Sequence, residues 1–163
     1  LLDPGIHLLD LISIMTKNDV MIEGHSDWRG FWKTGIDEDT HVLFRSNSTT
    51  ISMEVSVVRW RSQFEIFALG TDGYGQVTGR GRSYGNQIYR RGQRWGWQKA
   101  ANQMASEEEV VVDDCEDSFA DELAACLGLN VEPAVAPARL EDGLAVMRLY
   151  EKVKAGFKTE KEA

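Results

Sequence analysis

Little in this chain can staple it, anchor it or hold a polyanion. Only two cysteines occur in 163 residues, Cys115 and Cys126, with no histidine near either. Their spacing fits neither a zinc knuckle nor a C-x-x-C redox pair, so no metal site is expected from them. Cys126 lies in the apolar stretch 119–127 and reads as a small core residue. Cys115, set among Asp113, Asp114, Glu116 and Asp117, reads as a poor nucleophile. No run approaches the roughly 18 apolar residues a transmembrane helix needs, so no membrane partner is expected. No signal segment is visible, and the cytoplasm is the expected compartment. Positive charge is also short: 18 Lys and Arg face 26 Asp and Glu, a formal net charge of −8. Phosphate neutralisation needs a basic face, so a nucleic-acid partner is excluded.

What is present suits one domain able to bury its own core. Pro4 fits a first-turn position. Ile6, Leu8, Leu9, Leu11, Ile12 and Met15 then predict a mostly buried helix ending near Lys17-Asn18-Asp19. Strand patterns follow at 20–22, 40–45, 50–60, 63–69 and 74–78. The clearest is Ile51-Ser52-Met53-Glu54-Val55-Ser56-Val57, one apolar face against one polar face, with a bulge or strand end after it. Ser46-Asn47-Ser48 and Thr71-Asp72-Gly73 read as hairpin turns. A helix from Asp117 or Ser118 to about Leu127 stops at Gly128, and Pro133 and Pro137 mark a loop. A last helix over 140–155 puts Leu140, Leu144, Met147 and Val153 on one stripe, with Gly156 as its stop. Short connections between sequential strands favour antiparallel pairing. The expected class is α+β: an open, mainly antiparallel β-sheet with helices packed on one face. It occupies residues 1–157, and 158–163 form a solvated tail.

Charge is segregated along the chain. Residues 80–99 carry Arg80, Arg82, Arg90, Arg91, Arg94 and Lys99 with no acid, whereas 106–122 carry nine acids with no base. These segments either pair with each other or leave the arginines to approach a phosphorylated ligand. The glycines of 70–75 and 79–81 suggest a phosphate loop. No helix and no Gly-Lys-Ser/Thr follows them, so they read as turn glycines and not as a cofactor site. Of Trp28, Trp32, Trp60, Trp95 and Trp97, most read as half-buried sheet residues. Trp60, leading into Arg61-Ser62, is the best ligand-contact candidate. His25 and His41 lie in or beside strands without an acidic partner at helical spacing. His7 has Asp3 four positions before it at a helix start. Asp3 and His7 form either a carboxylate-oriented base able to take a hydroxyl proton or a capping Asp beside an interfacial His.

At this motif the chain resembles a known family. Leu2-Asp3-Pro4-Gly5-Ile6-His7-Leu8-Leu9-Asp10-Leu11 looks like the D-x-G-x-H-x-x-D segment of the Gfo/Idh/MocA superfamily, the glucose–fructose oxidoreductase and inositol dehydrogenase group. Further landmarks match in order. Glu38-Asp39-Thr40 precedes a strand ending Phe44-Arg45-Ser46-Asn47. Phe64-Glu65-Ile66-Phe67-Ala68-Leu69-Gly70-Thr71-Asp72-Gly73 is similar to the family's E-I-x-G-x-x-G strand and turn. Asp117-Ser118-Phe119-Ala120-Asp121-Glu122-Leu123 and Leu140-Glu141-Asp142-Gly143-Leu144-Ala145-Val146-Met147 resemble its two closing helices. The resemblance spans nearly the whole chain.

It implies the substrate-binding half of an NAD(P)-dependent oxidoreductase acting on a sugar, sugar-nucleotide or cyclitol hydroxyl or carbonyl. His7 would be the proton donor or acceptor and Asp3 the carboxylate orienting substrate and His7. Trp60 and Arg61 would contact substrate. The family's Glu-Lys-Pro tripeptide and nucleotide-binding glycines do not occur here. NAD or NADP would therefore be held mainly by an N-terminal Rossmann domain absent from this chain, which alone would be inactive. The chain begins abruptly at Leu1, as a piece of something longer would. A homo-oligomer through the sheet face is expected, since an open face needs covering. Two other readings stand beside this one: a stand-alone ligand-binding or assembly domain without catalysis, and a family member with non-redox chemistry.

Overall fold

A computed structural model of the protein describes residues 2–93, 107–112, 118–129 and 138–159. Trp95, Trp97, Cys115, Pro133, Pro137 and the end of the charged tail lie outside these residues. The element order is α1 (Leu2–Thr16), β1 (Met21–Trp28), β2 (Asp39–Ser46), β3 (Thr49–Ser56), β4 (Glu65–Leu69), β5 (Gly73–Thr78), β6 (Gln87–Gln93), β7 (Glu107–Val112), α2 (Ser118–Cys126) and α3 (Leu140–Thr159). The class is α+β, and every strand pairing is antiparallel. Where a single sheet was expected there are two, β1-β2-β3 and β4-β5-β6-β7. They fall in two compact units, residues 1–58 with 134–163, and residues 59–133.

In the first unit the sequence pattern becomes packing directly. Along β2 every second residue is buried, Thr40, Val42, Phe44 and Ser46, and the residues between them face outward. Val42 sits opposite Met53 and Phe44 opposite Ile51, so the apolar sides of β2 and β3 coincide. Against that face pack Leu9 and Ile12 of α1 and Val146, Leu149, Tyr150 and Val153 of α3. The helices thus cover one face of this sheet, as expected.

Boundaries and faces depart from expectation in instructive ways. The backbone of Asp3 is extended (φ −119°, ψ 118°), as a residue before proline prefers. α1 ends at Thr16 because Lys17 and Asn18 turn left-handed (φ 53° and 63°), and the Asn18 N–H donates to the Ser13 carbonyl at 2.9 Å. Ile14 and Met15 are exposed, so α1 buries one side and not most of its circumference. The α3 stripe is also displaced. Leu140, Leu144 and Met147 are exposed, and 146, 149, 150 and 153 are the buried set. α3 runs through Gly156 instead of stopping there. That glycine has a packing role, since an added Cβ would lie 2.8 Å from Cε1 of His25 on β1.

Both expected hairpin turns are present. β2 and β3 are joined by Asn47-Ser48, with Asn47 left-handed at φ 51°. Between β4 and β5 the Gly70 N–H donates to the Gly73 carbonyl at 2.8 Å. Thr50 to Trp60 is not one strand, because β3 ends at Ser56 where the alternation loses phase. The sheet's irregularity lies instead in β1, between Ile22 and Gly24. β6 and β7 were not expected as strands, since neither has an alternating apolar face.

Candidate functional site

Asp3 and His7 stand at the start of α1, the first in extended backbone and the second one turn into the helix. Both are exposed. Among the described contacts, no hydrogen bond or ion pair joins them. The opening motif therefore presents its imidazole and carboxylate to solvent as separate groups. Gly5 beside them is buried, which brings the helix start close to the body of the unit.

Trp60 and Arg61 are brought together. The indole is 83% exposed, and the Arg61 guanidinium lies over its ring, 5.0 Å from the centroid. Trp60 is thus a surface stacking group and not a half-buried sheet residue. The arginine-rich segment behaves differently. Arg90 and Arg91 on β6 face Glu109 and Glu108 on β7 in register. Arg90 Nε donates to Glu109 at 2.7 Å and Arg91 Nε to Glu108 at 2.6 Å. For these two arginines the basic and acidic segments pair with each other, and the phosphate-approach alternative loses them. Gly70, Gly79 and Gly81 lie in connections between strands or beside a short 3-10 turn at Arg82–Tyr84, Gly73 and Gly75 lie in β5, and none of them opens a dinucleotide-binding helix. At Gly79 the chain turns with φ 73°, and an added Cβ would meet the Asn86 carbonyl oxygen at 2.0 Å. Cys126, expected in a core, is exposed together with Leu123 and Leu127.

The most organised polar region surrounds the start of β2. Glu38 is 1% exposed and unpaired with any cation among the described contacts. Its carboxylate accepts backbone N–H groups from the preceding loop: Gly30 at 2.8 Å, Phe31 at 2.6 Å and Trp32 at 2.9 Å. Burial pushes this carboxyl up. The N–H groups of Gly30, Phe31, Trp32 and Thr34 together outweigh burial and hold it below the usual glutamate range. The loop so fixed carries an exposed aromatic cluster. Phe31 packs edge-on to Trp32 at 4.7 Å and to Trp28 at 6.4 Å, and the Trp32 indole reaches the Val57 carbonyl at 3.4 Å.

Next to this clamp, the sheet face opposite the helices holds Asp39, His41 and Glu54. Asp39 and His41 are two apart on β2, and Glu54 is the cross-strand partner of His41 on β3. Trp28 is the cross-strand partner of Asp39 on β1. One ligating atom from each of Asp39, His41 and Glu54 lies within 4.8 Å of the others. His41 Nε2 is 3.6 Å from Asp39 Oδ2. Nothing at helical spacing flags His41. The strand period does, since in Asp39-Thr40-His41 the first and third residues share a face. Pairing β2 with β3 through the Asn47-Ser48 turn then brings Glu54 alongside.

A shallow cleft lined by Asp10, Ser13, Ile14, Lys17, Asn18 and Asp142 lies elsewhere in this unit, without His7 in its wall. Among the described residues, no helix is long and apolar enough to cross a membrane. No protein family, curated protein or solved structure matches the chain.

Proposed function

We propose that this chain is the substrate-binding half of an NAD(P)-dependent oxidoreductase of the Gfo/Idh/MocA type. In this reading it acts on a hydroxyl or carbonyl of a sugar, sugar nucleotide or cyclitol. The observation that carries the reading is the placement of the D-x-G-x-H-x-x-D segment. It opens the helix that packs on an antiparallel sheet and leaves His7 exposed at the helix start. An exposed imidazole can meet a substrate hydroxyl directly and take or return its proton near neutral pH. Asp3, one turn away on extended backbone, orients the same hydroxyl group. In the second unit, Trp60 with Arg61 offers by itself an apolar face and a cation, a pairing suited to a sugar ring or its charged substituent.

The described residues do not fit a dinucleotide. Both sheets are antiparallel, and the glycine-rich turn at 70–73 leads from one strand to the next. In this reading the nicotinamide is held by a separate Rossmann domain, which supplies hydride acceptance, and this chain supplies substrate binding and the proton path. The protein is then cytoplasmic. It assembles as a homo-oligomer through an exposed sheet face, for which Phe67, Leu69 and Tyr74 on one side of β4 and β5 provide apolar surface.

The test is a turnover screen of the complete gene product. Sugars, sugar nucleotides and cyclitols are supplied with NAD or NADP, and reduced-nicotinamide absorbance is followed. Turnover with at least one substrate is expected. Sugar binding without any turnover would contradict the oxidoreductase reading and favour a binding module.

A further inference from the structure

We propose that Asp39, His41 and Glu54 form a binding site for a divalent transition-metal ion of the zinc class, with one coordination position left open. The inference is independent of the redox reading above and rests on a different face of the first unit. Three observations carry it.

The first is geometric. A tetrahedral ion with bonds of about 2.0 Å has ligand atoms about 3.3 Å apart. The His41 Nε2 to Asp39 Oδ2 separation of 3.6 Å is already close to that edge. Glu54 completes the set, with one ligating atom of each of the three side chains within 4.8 Å of the others. The frame behind them is stiff. β2 is the central strand, hydrogen-bonded on both sides, and Glu38, immediately before Asp39, is clamped by the loop N–H groups.

The second is an orphaned oxygen. Asp39 Oδ1 is shielded from solvent and has no hydrogen-bond partner. A shielded carboxylate oxygen without a donor is unfavourable, and a bound cation supplies the missing partner. Arg29 pairs with Asp27 and Asp37, and Arg45 with Glu23.

The third is donor chemistry. One imidazole and two carboxylates suit zinc and its first-row neighbours. Magnesium and calcium prefer oxygen-only shells with more ligands. Among the described residues this is the one His, Asp and Glu grouping with such convergence. Three protein ligands leave a fourth position for water or an oxygen of a bound molecule, the pattern of an open rather than a structural site. Trp28, beside Asp39, and the Phe31–Trp32 pair of its loop give such a molecule aromatic surface nearby.

Calorimetric titration of the protein with zinc chloride tests this. Saturable, equimolar binding is expected. His41→Ala and Glu54→Gln are each expected to weaken it at least about tenfold, since each removes a ligand. Both residues are exposed, so the variants are expected to keep the wild-type circular dichroism spectrum. Cys126→Ser removes an exposed thiol and is expected to leave binding unchanged. Zinc-edge X-ray absorption of the loaded wild-type protein, which needs no variant, should show nitrogen and oxygen neighbours without sulfur. Absence of saturable binding, full binding in His41→Ala, or a sulfur shell would each overturn the proposal.

Discussion

The two sheets of this protein are built from the same antiparallel pairing but held in different ways. In β1-β2-β3 one face is sealed by α1 and α3, and every buried hydrophobic side chain among the described residues belongs to that unit. In the second sheet β4, β5 and β6 are exposed or half-buried along their length. Cross-strand pairs bind them side by side: Arg90 to Glu109, Arg91 to Glu108, Gln76 to Glu65, and Phe67 stacked on Tyr74 at 5.7 Å. The contrast teaches that pairing alone defines a sheet, whereas a core defines which face of it matters. Among the described residues only the first sheet has a distinct inside and outside, and there the outer face gathers Asp39, His41 and Glu54.

The largest expected effect tests the sealed face. Phe44 is fully buried, so Phe44→Ala is expected to cost about 3–5 kcal/mol of unfolding free energy. Phe67→Ala, which removes an exposed stacked ring, is expected to cost about 1 kcal/mol. Urea denaturation of both variants measures the difference, and equal losses would erase the distinction between the sheets.

Glu38→Gln comes next, with a fall in Tm on the order of 5 °C at neutral pH. Its folded carboxyl titrates below the usual glutamate value. Its contribution is therefore complete above that value and is lost as pH falls toward and through the folded one. The gap in Tm between wild type and variant should be constant from neutral pH down to the ordinary glutamate range and narrow below it. A gap that widens on acidification would mean the loop N–H groups do not favour the ionised form.

The smallest effect belongs to the second sheet. Arg91 and Glu108 are both more than half exposed, and Arg91→Ala is expected to change stability by less than about 1 kcal/mol. Raising the salt concentration should shrink that difference further. A larger effect would mean these pairs substitute for a core.

The same contrast decides how much was legible in the sequence. The alternation from Ile51 to Val57 and the Asn47 turn fixed β2, β3 and their register, because one face had to be buried and a slip of one residue would invert it. β6 and β7 carry Arg-Arg-Gly and a run of three glutamates, so their strand character arises only when opposite charges meet across the ladder. The α3 stripe was displaced because several spacings of Leu, Val, Met and Tyr fit a helix. Only contact with α1 and the sheet selects 146, 149, 150 and 153. Of the candidate residues, Asp3 and His7 were singled out by their motif and Trp60 by its place after the strongest strand, and their roles belong to the proposal. The Asp39, His41 and Glu54 grouping was not found from helical spacing, since it needs both the strand period and the partner strand. Glu38 was legible only as part of a landmark. Nothing in its neighbours in sequence says that a loop would fold its N–H groups around the carboxylate.

The most direct test of the functional reading is the turnover of His7→Ala in the complete gene product. A fall in kcat of about a hundredfold or more is expected from losing a positioned proton carrier, with nicotinamide affinity unchanged. Turnover equal to wild type would contradict the assignment of His7 and the reading built on it.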